Sequence, residues 1–578
     1  MISKKFNRGI CIVMAMLLML TALASCRLPE LPTDINPVPG LSPNTEPTEE
    51  LKYTLTEAEL EAIYRKLDNL YVMHSKNEQT AAILKELDEI NDGVDYVYTQ
   101  NSIARLLSSR NTVDPQYKKM LHNSEDAYIR LKLELCAFYA FAYKNGGELE
   151  DKLFENMDDE DVSRIFRHAE INIEEVIELR TQARELYAQA DAIDKKSIGY
   201  QSELDSISKQ IISANNAMAR AFGYDNYVEF VSEEYRLGSS YLEVLEGLKS
   251  GVVEHLIPLV VKLKADHETF VSDFSQPVIK EALSFTASRF DLKSSQMKLE
   301  NFARSVNMTV FGYYCDLMDR KNYYLITDDT VEGLPAGDAF TEYLPSQGKS
   351  VMYFGKGNND ILSFIHQLGH YCTAAHNYGR DISPEIRALQ AEGAEYLYLA
   401  SIRDDMSEKA YEYIVTHTIL ATLTDAVTYL AIGELEHTLY TMSEDELGNA
   451  DISKVFDGIC NSYMTGTDVS FAKLFGTRTA ERRNRVVSSN FFTSLEKASA
   501  TVSALELYSI ALNDYSSATR SYFTIQFYSQ SSHSSALAAA RLHDPCSSDI
   551  CKTIGEFLSS DFLATTSPEQ DDARSVTG

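Results

Sequence analysis

Residues 365–370 read IHQLGH and place two histidines, His366 and His370, four positions apart. Side chains four residues apart lie on one face of an α-helix, so both imidazoles can reach a single metal ion. This is the spacing of the H-E-x-x-H motif, in which both histidines bind Zn²⁺ and the glutamate takes a proton from the zinc-bound water. The stretch therefore predicts a helix that carries a two-histidine metal site.

The glutamate position of that motif is occupied by Gln367. A glutamine amide does not take up a proton at neutral pH, whereas a carboxylate does. Loss of a general base typically costs about 10²–10⁴-fold in rate. The sequence therefore has the histidines of the motif but lacks its base.

A zinc ion needs at least one further protein ligand besides the two histidines. Glu392 follows His370 by 22 residues, in a second helical stretch, residues 389–397 (LQAEGAEYL), that also contains Glu395. Two histidines and one carboxylate complete a three-ligand set. Either glutamate supplies a carboxylate of the required kind.

The two segments together resemble the M3 family of zinc oligopeptidases, and within it the oligoendopeptidase F branch. In that family H-E-x-G-H is followed by a helix with a ligand glutamate in an Ala-Glu-Ile-Ala-Ser-like segment. The resemblance implies that His366, His370 and Glu392 bind zinc, with Glu395 as the second choice for the carboxylate ligand.

Two flanking segments extend this resemblance, residues 214–227 (ANNAMARAFGYDNY) and residues 503–508 (SALELY). The likeness spans about residues 55–545. It implies a mainly α-helical fold in two halves around a deep channel, with a small β-sheet near the motif helix. Such a channel admits short extended peptides and excludes folded proteins.

A second departure from the family lies downstream. There the family supplies a histidine and tyrosines to the substrate carbonyl and the oxyanion. Alignment on residues 504–505 places Val486, Thr493, Ser494 and Lys497 near those positions, and residues 484–507 contain neither histidine nor tyrosine. Loss of one oxyanion donor costs about 10²–10³-fold. With Gln367, this predicts a catalytic site that is impaired or inactive.

The N-terminus has the pattern of a secretory signal. Basic residues precede an uncharged apolar run over residues 9–24, which is short for a membrane span and typical of a signal peptide. The run ends in LASC at residues 23–26, which resembles a bacterial lipobox. It predicts lipidation of Cys26 and an extracytoplasmic, membrane-anchored protein of the bacterial cell envelope.

Composition and periodicity predict the organisation of the remaining chain. Residues 27–50 hold six of the 14 prolines, and helical periodicity marks residues 115–145, 160–193 and 198–221. A break near residues 320–357 predicts a small sheet, after which Asn359 or Asp360 would cap the motif helix. The predicted regions are a signal peptide (1–25), a Pro-rich linker (26–52), an N-terminal helical region (53–200), an M3 peptidase-like region (201–560) and a disordered tail (561–578).

Cys546 and Cys551 are close enough in sequence for a small disulfide loop, and two exposed thiols in a C-terminal loop fit the spacing equally well. The sequence leaves both alternatives open.

The formal net charge of −32 repels phosphate backbones and excludes nucleic acid as a natural partner. Short peptides and, through the lipid, a membrane are the predicted partners. The leading interpretation is an M3-like lipoprotein that binds peptides and is catalytically impaired. The alternatives are an active zinc oligopeptidase and a metal-free structural or interaction lipoprotein.

Overall fold

Many of the helices begin at a residue whose side chain caps the first turn. The first helix, for example, opens with a capping box in which Thr56 and Glu59 satisfy each other's backbone N–H groups. The computed structural model describes residues 51–559, except residues 156, 158, 235–240, 271–273, 287–291, 326–338, 356–359, 379–381, 477–492 and 530–531. The predicted signal peptide, lipidated Cys26, almost all of the linker and the tail lie outside the described residues, so these remain predictions.

Helices fill the chain before the sheet. Their bounds are α1 Glu57–Ser75, α2 Thr80–Arg110, α3 Pro115–Asn145, α4 Glu148–Phe154, α5 Asp159–Ala169, α6 Ile173–Ala192, α7 Tyr200–Ala221, α8 Tyr227–Glu234, α9 Tyr241–Gly251, α10 Ile257–Phe270, α11 Gln276–Thr286, α12 Leu292–Val306 and α13 Met308–Arg320. A π-helical turn, Val252–Leu256, joins α9 to α10. The predicted helix over residues 115–145 is confirmed. The single helix predicted over residues 160–193 is wrong in one respect, because the structure has two helices there, α5 and α6. Asn172 caps the second of them.

A three-stranded sheet follows, as predicted. Its strands are β1 Tyr323–Leu325, β2 Ala339–Leu344 and β3 Lys349–Phe354, in the order β1-β3-β2. β3 pairs in parallel with β1 and antiparallel with β2, and every residue of β3 is buried. Within the described part of the chain, β2 is therefore an edge strand.

Helices resume after the sheet. Their bounds are α14 Ile361–His376, α15 Pro384–Ser401, α16 Glu408–Thr441, α17 Glu444–Asn449, α18 Ile452–Tyr463, α19 Phe471–Phe475, α20 Ser494–Asn513, α21 Tyr515–Phe527, α22 His533–Ala540 and α23 Asp549–Phe557. The side chain of Asp360 accepts a hydrogen bond from the Ser363 N–H at 2.8 Å, so this residue caps α14, as predicted. Asn359, the alternative cap, lies outside the described residues.

The long helix α16 runs through the core. It is the one helix among the described residues whose length and apolar composition would allow it to cross a membrane, and 61% of its most apolar window is buried inside the protein. Burial on this scale is typical of a core helix, which passes the same test of length and composition.

The segment over residues 214–227 joins two parts of the structure. The Nδ2 groups of Asn215 and Asn216 donate to the hydroxyl and to the backbone carbonyl of Tyr440, each at 2.9 Å. The Oδ1 atom of Asn216 accepts from the backbone N–H of Tyr227, also at 2.9 Å. These buried amides tie α7 and α8 to the end of α16, so the segment has a structural role here.

Helices α14 and α15 pack in direct backbone contact at Gly369. A Cβ atom added at this glycine would lie 2.6 Å from the carbonyl oxygen of Gln390 and 2.7 Å from the Cα atom of Ala391. A glycine is therefore required here, and it brings Glu392 of α15 beside the helix that carries His366 and His370.

Neither Cys546 nor Cys551 forms a disulfide with a described cysteine, and Cys551 is buried. Cys546 and Cys551 pack against Gly247 and Gly251 of α9, where an added Cβ would come within 3.0 Å of their atoms. The structure therefore lacks the small disulfide loop, and the alternative of two exposed thiols in a loop is wrong as well, because Cys551 is buried and lies in α23.

We expect Gly369→Ala to lower the free energy of unfolding by about 1–3 kcal/mol, because the added methyl group would force α14 and α15 apart. Gly458→Ala, in α18, is the matched control, since nothing lies within 4 Å of a Cβ added there. The control should gain about 0.5–1 kcal/mol from the higher helix propensity of alanine. Urea unfolding followed by circular dichroism measures both changes, and equal effects in the two variants would contradict the close contact.

Candidate functional site

Helix α14 brings the two motif histidines together, as their spacing predicts. The ring centroids of His366 and His370 lie 4.9 Å apart, with the ring planes at 79°. Helix α15 lies against this face and carries Glu392 and Glu395, three residues apart. The structure therefore places all four predicted site residues on two adjacent helices.

Glu395 is paired with His366. Its Oε1 atom lies 2.5 Å from Nδ1 of the imidazole, and about 30% of each side chain is accessible to solvent. Burial lowers the pKa of His366, but the hydrogen bond and the negative charge of Glu395, together with the charge of Glu392, outweigh this effect, so the pKa is raised overall. Metal-binding histidines are commonly oriented by a carboxylate on their second nitrogen, and Glu395 is placed for that role rather than for ligation.

His370 has no such partner. Its Nδ1 atom is buried and makes no hydrogen bond. Burial, with the nearby His366 and Arg387, holds the pKa of His370 well below its usual value, so the imidazole is neutral at pH 7. Neutral imidazole is the form that binds a metal ion.

Glu392 lies on the side of α15 that faces the two histidines of α14. Burial raises the pKa of its carboxyl group to about 7, whereas a hydrogen bond with Thr501 and the nearby His366 act to lower it. Glu395 and Asp425 raise the pKa further by repulsion. A bound cation would favour the ionised carboxylate, so this chemistry suits a metal ligand.

The predicted zinc ligands are not gathered around a single point. Within the part of the chain that the structure describes, no three His, Cys, Asp or Glu side chains are arranged to hold a metal ion. His366 is engaged by Glu395, and Glu392 is engaged by Thr501. The imidazole and carboxylate groups are of the types that bind zinc, but they are not arranged in a coordination geometry. Zinc binding therefore remains a prediction.

Gln367 faces the sheet. Its side chain is only 4% exposed, and its Oε1 atom accepts a hydrogen bond from the Thr341 hydroxyl at 3.0 Å. Thr341 lies in the edge strand β2, so this bond fastens the motif helix to the sheet. The carboxamide thus occupies the position of the missing base as a buried, hydrogen-bonded group.

The downstream stretch that should supply a histidine and tyrosines contributes other side chains. Ser494 is buried and donates to Glu436. Lys497 lies close enough to His366 to lower its pKa, and its ammonium group stands 5.4 Å from the ring centre of Tyr429. Thr493 is the residue that precedes α20, and Val486 lies outside the described residues.

Sequence analysis missed two contacts of the site, those of Thr341 with Gln367 and of Thr501 with Glu392. Thr501 lies four residues after Lys497, on the same face of α20, and this spacing is a signal that could have identified it. Thr341 belongs to a strand 26 residues before Gln367, and no local pattern connects the two.

We expect Glu392→Gln to stabilise the metal-free protein at pH 8 by about 1–2 kcal/mol and to have little effect at pH 5. The pKa of Glu392 is higher in the folded protein, about 7, than in the unfolded chain, so its ionisation on going from pH 5 to pH 8 lowers stability. Glutamine does not ionise. Urea unfolding at both pH values measures the difference, and Glu395→Gln is the control expected to destabilise, because it weakens the pair with His366.

An equal shift of stability at pH 5 and pH 8 in Glu392→Gln would contradict the raised pKa of this carboxyl group.

Comparison with known proteins relates the fold of this chain to that of peptidases. No protein-family model matches the sequence, and no curated protein matches it. Solved structures do match. A protein assigned as oligoendopeptidase F matches over 88% of this chain and 98% of its own length, with 16% identity and a TM-score of 0.67. PZ peptidase A, solved with an inhibitor, matches over 88% of this chain and 99% of its own length, with 14% identity and a TM-score of 0.65. A Bacillus anthracis protein assigned as oligoendopeptidase F matches over 89% of this chain and 98% of its own length, with 13% identity and a TM-score of 0.66. The chain therefore has the fold of the oligoendopeptidase F-type peptidases, and the predicted mainly α-helical class with a small sheet is confirmed.

Proposed function

We propose that this protein is a membrane-anchored, M3 peptidase-like lipoprotein that binds short peptides in its channel and is catalytically impaired or inactive. The observation that carries the proposal is the buried Gln367 at the position of the general base, with its amide oxygen bound to Thr341. The absence of histidine and tyrosine from residues 484–507 supports it independently.

Neighbouring groups are poorly placed to replace the base. The Glu395 carboxylate is bound to His366 at 2.5 Å, and Glu392 is the remaining carboxylate for a metal. Lys497 is a cation and acts on His366 by repulsion. A base that is already engaged in an ion pair or in ligation takes up a substrate proton poorly.

Zinc, where bound, would be held by His366, His370 and Glu392 and would polarise a peptide carbonyl or a water molecule. Glu395 would orient the His366 ring through Nδ1. Elemental analysis of protein purified without added metal tests this assignment. One zinc per chain in the wild type and none in His366→Ala would support it, and a metal-free wild-type protein would contradict it.

Peptide binding is supported by the position of β2. This strand lies at the sheet edge within the described residues, and Thr341 within it touches the motif helix. Extended peptides bind to such edges by adding a strand, with main-chain hydrogen bonds providing affinity. The net charge of −32 favours neutral or basic peptides over acidic ones. The membrane anchor rests on the LASC sequence at residues 23–26.

We expect purified residues 27–578 to leave a diverse library of short peptides uncleaved, with zinc added, as measured by mass spectrometry. Gln367→Glu should also fail to create activity, because residues 484–507 still lack the groups that stabilise the oxyanion. Chelator-sensitive cleavage by the wild-type protein at ordinary enzyme rates would contradict the proposal. Activity gained by Gln367→Glu alone would show that Gln367 is the only defect.

A further inference from the structure

Two neighbouring helix ends hold aromatic side chains in solvent. Tyr378, just after α14, is 71% exposed. Phe527 and Tyr528, at the end of α21, are 57% and 43% exposed, and their ring centroids lie 5.5 Å apart. Exposed apolar patches on folded proteins commonly mark a site of interaction with another protein or with a membrane.

A buried hydrogen bond joins the two helix ends. The Ser529 hydroxyl donates to Oδ1 of Asn377 at 2.8 Å, and both residues are buried. Asn377 directly precedes Tyr378, and Ser529 directly follows Tyr528. The exposed rings therefore leave the protein from adjoining stretches of backbone. We call Tyr378, Phe527 and Tyr528 the aromatic face.

Tyr378 occupies its position in spite of its backbone conformation. Its φ of +52° lies in the left-handed region, which suits glycine or asparagine and disfavours a bulky side chain. Burial does not compensate, because most of the side chain is in solvent. An outlier of this kind is a reason to look for a role at the surface.

The segments that carry the aromatic face contain no acidic residue. Asp and Glu account for 85 of the 578 residues, yet neither occurs in residues 361–378 or in residues 515–543. The second segment instead contains Arg520 and Arg541, both exposed. Arg520 precedes Phe527 by seven residues, which places the two side chains on one face of α21.

The two arginines lie on neighbouring helices. The Ser521 hydroxyl donates to the carbonyl oxygen of Ala540 at 2.9 Å, and these residues are the chain neighbours of Arg520 and Arg541. Guanidinium groups bind phosphate oxygens through paired N–H groups. Asp514, the acid that precedes α21, lies at the opposite end of that helix, about 20 Å from the aromatic face at 1.5 Å per residue.

Exposed aromatic rings beside arginines are the chemistry of a membrane interface. Aromatic side chains enter the headgroup region of a bilayer, and arginine pairs with lipid phosphate. A chain with a net charge of −32 is repelled by an anionic bilayer elsewhere on its surface, so charge orients this face toward the lipid. We propose that the aromatic face, with Arg520 and Arg541, docks on the phospholipid surface of the membrane that anchors the chain. This inference rests on the membrane anchor of the proposed function.

The linker is long enough for this docking. Residues 27–50 separate Cys26 from the buried Leu51 and would extend to at most roughly 75 Å at about 3.1 Å per residue. A tether raises the local concentration of the lipid surface, so a weak contact suffices. Docking would also hold the candidate site near the bilayer, because His366 precedes Tyr378 by 12 residues, about 18 Å along α14.

The test places a tryptophan reporter in a chain that has no tryptophan of its own. The full-length protein with Tyr528→Trp is purified with its lipid and reconstituted into vesicles of phosphatidylcholine and phosphatidylglycerol. Its emission should shift to shorter wavelength and be quenched by brominated lipid. Tyr143→Trp is the matched control and should show neither change. Tyr143 is 40% exposed, and its ring centroid lies 5.1 Å from that of Phe154 in α4, a helix with three acidic residues in its first turn.

Two further changes test the chemistry of the docking surface in the reporter protein. Tyr378→Asn removes a ring and gives the left-handed position a residue that adopts it readily, so quenching should fall while the fold is retained. Arg520→Gln should reduce quenching in vesicles that contain phosphatidylglycerol and leave it unchanged in pure phosphatidylcholine.

Vesicle flotation and the mass of the N-terminal peptide separate the outcomes. A reporter that stays in water while the lipidated protein floats with the vesicles would overturn the docking and leave the anchor standing. A chain that has no lipid on Cys26 and does not float would overturn the proposed anchor, and the docking with it. An emission shift that appears without vesicles and grows with protein concentration would show that a second copy of the chain covers the face, and would overturn the assignment to lipid.

Discussion

The close contact of α14 with α15 at Gly369 is the constraint on which the site depends. A residue with a Cβ would meet the carbonyl oxygen of Gln390 at 2.6 Å, so the helix carrying the histidines can approach α15 only through a glycine. Gln390 is itself fixed, because its Nε2 atom donates to the Tyr522 carbonyl at 3.0 Å and its carbonyl accepts from the Tyr522 hydroxyl at 2.9 Å. The buried contact therefore sets the distance between the histidines and the glutamates that follow on α15.

That proximity gives the site its electrostatic character. Burial raises the pKa of Glu392 to about 7, and the carboxylate of Glu395 is hydrogen-bonded to His366. The two histidines differ as well, since His366 has an anionic partner and His370 has none. The buried Nδ1 atom of His370, which has no hydrogen-bond partner among the described residues, costs stability, and such a group is tolerated most readily where a ligand or an ion completes it.

Local sequence patterns predicted the helix, the cap and the sheet that form the site, but they did not predict the contacts between these elements. The helix bearing His366 and His370, its cap at Asp360 and the small sheet before it all follow from spacing and from capping residues. The pairing of Glu395 with His366 and the bond between Thr341 and Gln367 depend on how helices and sheet pack. Glu392 and Glu395 are the same residue type three positions apart on α15, so the sequence alone did not show which of them would pair with His366.

We propose that the protein binds short peptides and does not cut them. The most direct test is to titrate the purified protein with a neutral hexapeptide in a calorimeter, with zinc present. The peptide is then recovered from the sample cell of the calorimeter and analysed by mass spectrometry. The account predicts saturable binding and an intact peptide after prolonged incubation. Recovery of two fragments, or a titration without heat of binding at any temperature tried, would contradict it.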